Sequence, residues 1–153
     1  MLNKSKEYRC YAASAERFPG VRNSRWNNFD EAKNLLLPDL PADARAVRIH
    51  MSGDFFNQKY FDTWLNYASV HINVEFWAYT KSLPYWVKRI GIIPDNLTLT
   101  ASRGGRVDHL IDEHGLKNVT VVKTKRRAGA LPIDTNDDLA RIKDLNFALL
   151  DNF

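Results

Sequence analysis

Five short runs with the composition of β-strands recur along the chain, separated by segments with helical spacing, and this alternation restricts the fold more than any other feature. The runs are Ala46–Met51, Asn73–Thr80, Asn96–Ser102, Asn118–Thr124 and Phe147–Asn152. Between them, "NQKYFDTWLNYASV" sets Tyr60, Phe61, Trp64, Leu65 and Ala68 at helical spacing. "PYWVKRIG", "RVDHLIDEHG" and "DTNDDLARIKDL" are shorter helical candidates. Strand–helix alternation predicts βαβ units, parallel pairing and right-handed crossovers. With 153 residues there is material for four or five such units in one domain. A closed eight-stranded barrel needs about 250 residues. The expectation is therefore an α/β chain whose parallel sheet is open or forms a partial, half-TIM-like barrel. Ahead of it, Pro19 opens a helix running to Leu37, and residues 1–18 form a partly ordered arm.

Side chains alternate between the faces of a strand. In the first strand Val47, Ile49 and Met51 share one face, and Arg48, His50 and Ser52 share the other. In the second, Glu75, Trp77 and Tyr79 oppose Val74, Phe76 and Ala78. In the third, Thr98, Thr100 and Ser102 oppose Leu97, Leu99 and Ala101. A parallel sheet covered on both faces reads apolar throughout. Here one face is polar, and it is either simply wet or lines a ligand cleft at the strand C-terminal ends.

Within such a cleft His50 is a candidate general acid or base, tuned by Asp54 or Glu75, or else a histidine satisfied inside a hydrogen-bond network. Asp54 is a candidate catalytic carboxylate or the cap of the helix that starts near Asn57. Lys81 can hold an anion, form a Schiff base or stay solvated. Arg48, Ser52, Tyr79, Ser102, Arg103 and Arg106 complete a ligand-binding set. The "SRGGR" run lets backbone N–H groups approach an anion. His109 and Glu113 stand four apart, but the two-histidine pattern of a metallohydrolase is missing and no metal site is assigned.

Net charge is +4, which permits a polyanionic partner without requiring one. The basic run "KTKRR" supplies Lys123, Lys125, Arg126 and Arg127. With Arg22, Arg25 and Trp26 it is the alternative, a surface for nucleic acid or an acidic host protein. No apolar run has the length of a membrane span and no signal peptide is evident, so the expected location is cytoplasmic. Cys10 is the single cysteine; one thiolate cannot replace the three or four that an iron–sulfur cluster uses, and no other cofactor is indicated.

The blocks "RCYAASAERFPGVRNSRWNNF", "RIHMSGDFFNQKYFDTW", "FWAYTKSLPYWVKR" and "PDNLTLTASRGGRVDHLIDEHG", with the final "FALL", together resemble a phage-associated domain family known as gene product 88. The similarity covers nearly the whole chain. It implies a phage or phage-derived protein that works in an infected bacterial host, in a shortened form of the family. Family members look like reduced relatives of radical S-adenosylmethionine barrels, and longer members carry further cysteines upstream of the position matching Cys10. Two functions follow as expectations. One is an active or degenerate enzyme for an anionic small molecule, such as a nucleotide or an S-adenosylmethionine-like compound. The other is a non-catalytic protein that binds a host machine through its basic surface.

Overall fold

The computed structural model describes residues 15–151. Most of the expected N-terminal arm, Cys10 and the last residue of the expected fifth strand lie outside them. The chain divides into two units between Leu36 and Leu37. The first contains helix α1, Pro19–Lys33, with Pro19 in its first turn. It stops short of the expected Leu37, and Leu35 just beyond it takes a left-handed conformation (φ 59°).

The second unit is a six-stranded, all-parallel sheet of half-barrel form. Its strands are β1 (Ala46–Ile49), β2 (Glu75–Thr80), β3 (Leu97–Ser102), β4 (Asn118–Val122), β5 (Ile133–Asp134) and β6 (Phe147–Leu150), in the spatial order β1-β2-β3-β4-β6-β5. All five expected strands are present and parallel. The extra one, β5, has two residues, too few to leave a period in the sequence. β4 starts opposite Ala101, near the end of β3. Such a stagger between neighbours is what curls a sheet toward a barrel.

The outer face is the apolar one. Ile49, Phe76, Ala78, Leu97, Leu99 and Ala101 are buried. They lie under α2 (Gln58–Val70), α3 (Leu83–Val87) and α4 (His109–Glu113), which bury Tyr60, Phe61, Trp64, Leu65, Ala68, Leu83, Trp86 and Ile111. Asn57 caps α2 by accepting the Tyr60 N–H at 2.8 Å. Arg89, just past α3, grips Asp62 of α2 through two hydrogen bonds of 2.8 and 2.6 Å. The Asn96 side-chain amide donates to the carbonyls of Ala68, His71 and Val74, which ties the end of α2 to the start of β3.

The inner face departs from the sequence expectation. Part of it is closed by a strap, residues 134–142, that carries the short helix α5 (Asp138–Arg141). Ala140 packs with Val119 and Phe147, and Trp77, Tyr79, Leu139 and Leu149 surround them. A four-residue helix has no stability of its own, because nucleation costs more than one turn returns. Here both ends are held. The buried carboxylate of Asp134 accepts the N–H groups of Leu139 (3.0 Å) and Ala140 (3.1 Å). At the other end Lys117, itself buried, donates through Nζ to the carbonyls of Leu139, Ala140 and Ile142 at 2.9, 2.7 and 2.5 Å. A carboxylate at the amide end and an ammonium at the carbonyl end match the helix dipole.

Burial pulls the Lys117 ammonium from its ordinary 10.5 down to about 8, opposed by Asp134 and Asp144. The folded value lies below the unfolded one, so the unfolded chain binds this proton more tightly. The group's contribution to stability is therefore complete above 10.5 and is lost as pH falls through about 8. Lys117→Met takes a donor from three carbonyls, of which that of Leu139 keeps the Ile142 N–H, and should cost about 1–3 kcal/mol near neutral pH. Denaturant titrations between about pH 7 and pH 10 should show stability rising in the wild type and this rise missing from the variant.

Candidate functional site

The strand C-terminal ends bring the expected residues together in two groups, and each group differs from its sequence reading. The first is built on Asp54. This residue does not cap α2, since Asn57 does. Its Oδ1 accepts the Phe55 N–H (2.7 Å) and the Thr80 hydroxyl (2.6 Å), and its Oδ2 accepts the Lys81 N–H (2.7 Å). Asp54 thus pins the loop after β1 to the end of β2, and the Ser82 hydroxyl adds a bond to the Phe55 carbonyl at 2.6 Å. Gly53, with φ of 88°, supplies the left-handed turn that lets the carboxylate reach across.

Lys81 extends from this junction to β3. Its Nζ donates to the Ser102 carbonyl (2.9 Å), the Ser102 hydroxyl (3.1 Å) and the Arg103 carbonyl (2.9 Å). Burial lowers its pKa, and Asp108 and Asp54 oppose that. The N–H groups of the glycine loop, a candidate anion site in the sequence, are taken by a side chain of the chain itself. Asp108 accepts the N–H groups of Gly104 (2.8 Å) and Gly105 (2.9 Å). A Cβ added at Gly105 would stand 3.2 Å from the same carboxylate. The Arg103 guanidinium turns away to Asn118 (2.9 Å) and Asp112 (2.6 Å). Arg106 is exposed and Ser52 is half-buried.

The second group lies on the inner face. Arg48 stacks over the Tyr79 ring at 5.1 Å. Arg48 Nη1 donates to Asp137 Oδ2 (2.6 Å), and the Tyr79 hydroxyl donates to Asp137 Oδ1 (2.8 Å). Burial first, then Asp137, pushes the Tyr79 phenol well above its ordinary range, so it acts as a donor and not as a base. At the opposite end of β2, Glu75 pairs with Arg141, whose guanidinium also covers the Trp77 ring at 5.4 Å.

His50 does not share the inner face with Arg48. β1 ends at Ile49, and His50 takes a left-handed conformation (φ 62°) that turns its ring toward α2. The ring sits among Phe55, Tyr60 and Trp64, with Nε2 2.8 Å from the Tyr60 hydroxyl. Burial lowers its pKa and Asp54 opposes the shift. Glu75, the other expected tuning carboxylate, stands at the far end of its strand, so Asp54 alone fills that role. The ring is held in an aromatic nest with a hydrogen bond at Nε2, while Nδ1 is buried without a partner, so the hydrogen-bond network expected of a satisfied histidine is met at one nitrogen.

Strong local signals did not mark Asp137, Asp134, Lys117 or Asp108, although the acidic run "DTNDD" and the aspartate three residues after "GG" were visible. His109 and Glu113 are both exposed on α4. Among the described residues no cluster of three or more His, Cys, Asp or Glu is placed to hold a metal ion. The chain's one cysteine falls short of the three or four thiolates that an iron–sulfur cluster uses.

The family model for Gene product 88 matches residues 4–152. The chain belongs to the Gene product 88 family. No curated protein and no solved structure matches it. No helix among the described residues is long and apolar enough to cross a membrane. For this family member the geometry makes Asp54 a structural junction. Asp54→Ala leaves two N–H groups and a hydroxyl without their acceptor and should lower stability by about 1–3 kcal/mol in denaturant unfolding. A change no larger than that of an exposed control aspartate, such as Asp95, would contradict the junction.

Proposed function

We propose that this Gene product 88 family member is a non-catalytic, phage-type binding protein that takes nucleic acid through the basic turn after β4. One contrast carries the reading. Three of the four cations expected at the strand ends are engaged internally, Arg48 by Asp137, Lys81 by Ser102 and Arg103, and Arg103 by Asp112, while Arg106 is exposed. The glycine loop that would receive an anion is filled by Asp108. By contrast, Lys123, Lys125, Arg126 and Arg127 are exposed, with no ion pair among the described residues.

The basic turn has a firm base. Lys125–Ala128 form one 3₁₀ turn, and Ala128 is buried against Val122 and Ala148. Three cations on this turn, with Lys123 just before it, fit phosphates, which are recognised by charge and need no apolar anchor. A protein interface is usually centred on buried aromatic or aliphatic side chains, and this run has none. Arg22, Arg25 and Trp26 belong to the other unit; Arg25 pairs with Glu16 at 3.5 Å, and Trp26 is suited to stack on an unpaired base. The proposed setting is the cytoplasm of an infected bacterial host, where occupying nucleic acid can block a host machine without turnover.

Fluorescence anisotropy with labelled duplex DNA at increasing salt tests this. Log affinity should fall linearly with log salt, by about 0.9 per phosphate contact and so by about 3.6 if all four cations engage. The triple variant Lys125→Ala, Arg126→Ala, Arg127→Ala should flatten that slope by about 2.7. Absence of binding at low salt, or an unchanged slope in the variant, would sink the proposal. Binding of an acidic protein with no binding of DNA would assign the turn to the other partner class.

A further inference from the structure

Asp137 stands where a ligand's carboxylate would stand. Its two oxygens are received separately, Oδ2 by the Arg48 guanidinium at 2.6 Å and Oδ1 by the Tyr79 hydroxyl at 2.8 Å. Those two donors come from neighbouring strands of the regular sheet, whereas Asp137 comes from the strap. Asp137 also holds φ of 67°, the left-handed region that suits glycine better than a side chain with a Cβ. The receptor is therefore on the rigid element, and its occupant is held in a less favourable backbone state.

The receptor also has unused capacity. Arg48 Nε is buried with no hydrogen-bond partner. So is the hydroxyl of Thr100, the residue beside Tyr79 in the register of β2 and β3. Buried polar groups without partners are uncommon and costly. The site is reachable, because the side chains of Arg48 and Asp137 remain 27% and 23% exposed.

We propose that Arg48 and Tyr79 form a receptor for a small carboxylate and that Asp137 is its exchangeable internal occupant. An incoming carboxylate takes the place of Asp137 on Arg48 Nη1 and the Tyr79 hydroxyl. Asp137 swings outward with the loop that precedes α5, while Asp134 and Lys117 keep the helix itself in place. Tethering gives the internal carboxylate a high effective concentration, so a free one competes poorly until Asp137 is removed. This inference is independent of the basic turn.

Asp137→Gly removes the occupant and suits the left-handed backbone. Sodium acetate should raise the melting temperature of this variant in a saturable way that sodium chloride of equal ionic strength does not reproduce. The wild type should be silent at the acetate concentration that saturates the variant. Adding Arg48→Met to Asp137→Gly should abolish the response. Should the glycine variant not fold, Asp137→Asn keeps a residue type tolerant of this backbone and removes the charge that opposes acetate; it should show a weaker, Arg48-dependent rise. A folded variant with no acetate-specific rise, or a rise that survives the loss of Arg48, would overturn the receptor.

Discussion

A four-residue helix is held at both ends by buried charges, and the rest of the inner face is arranged around it. Asp134 takes the amides of Leu139 and Ala140, and Lys117 takes the carbonyls of Leu139, Ala140 and Ile142. Neither charge is easily buried alone, because moving an ion out of water costs several kcal/mol or more. Each is stabilised by backbone groups that a short helix leaves unpaired in any case. With α5 in place, Ala140 closes an apolar cluster over Val119 and Phe147. The same placement brings Arg141 to Glu75 and Asp137 to Arg48.

That arrangement also decides where charge is available. The half-barrel has the polar strand ends expected of a ligand-binding α/β sheet. In this family member the acidic strap and the Asp108 loop meet those groups from within. The turn beyond β4 keeps its cations open to solvent, and β4 runs past the last residue of β3 because of the stagger between these two strands. The proposed binding surface therefore follows from the sheet geometry. The stagger that curls the sheet also carries the basic turn past the end of β3.

The sheet was legible because it depends on local pattern. Period-two alternation placed Ile49, Phe76 and Leu99 on the outer face, and it placed Arg48, Trp77 and Thr98 together on the inner one. The site was less legible because its partners are remote. Arg48 and Asp137 are 89 residues apart, and Asp54 and Thr80 are 26 apart. An aspartate shortly before a helix start reads as a cap, yet the Asp54 oxygens accept from the end of the next strand. His50 escaped the alternation because β1 stops one residue earlier and the backbone turns left-handed there. The "SRGGR" run gathers N–H groups as its glycines suggest, but they serve an aspartate of the chain itself. Its occupant, Asp108, lay within three residues of Gly105 and marks the one place where local reasoning could have gone further.

Amide hydrogen exchange tests the clamp on α5 most directly. The Leu139 and Ala140 amides point to a buried carboxylate inside a segment that otherwise looks like an exposed loop with one turn of helix. If the clamp holds the strap to the inner face, these two amides open only with the sheet. Their protection should match that of the central β2 and β3 amides, such as Ala78 and Leu99, while exposed Thr135 exchanges freely. Protection of Leu139 and Ala140 no greater than that of Thr135 would mean that the strap opens independently, and would contradict the account of an inner face clamped by Asp134 and Lys117.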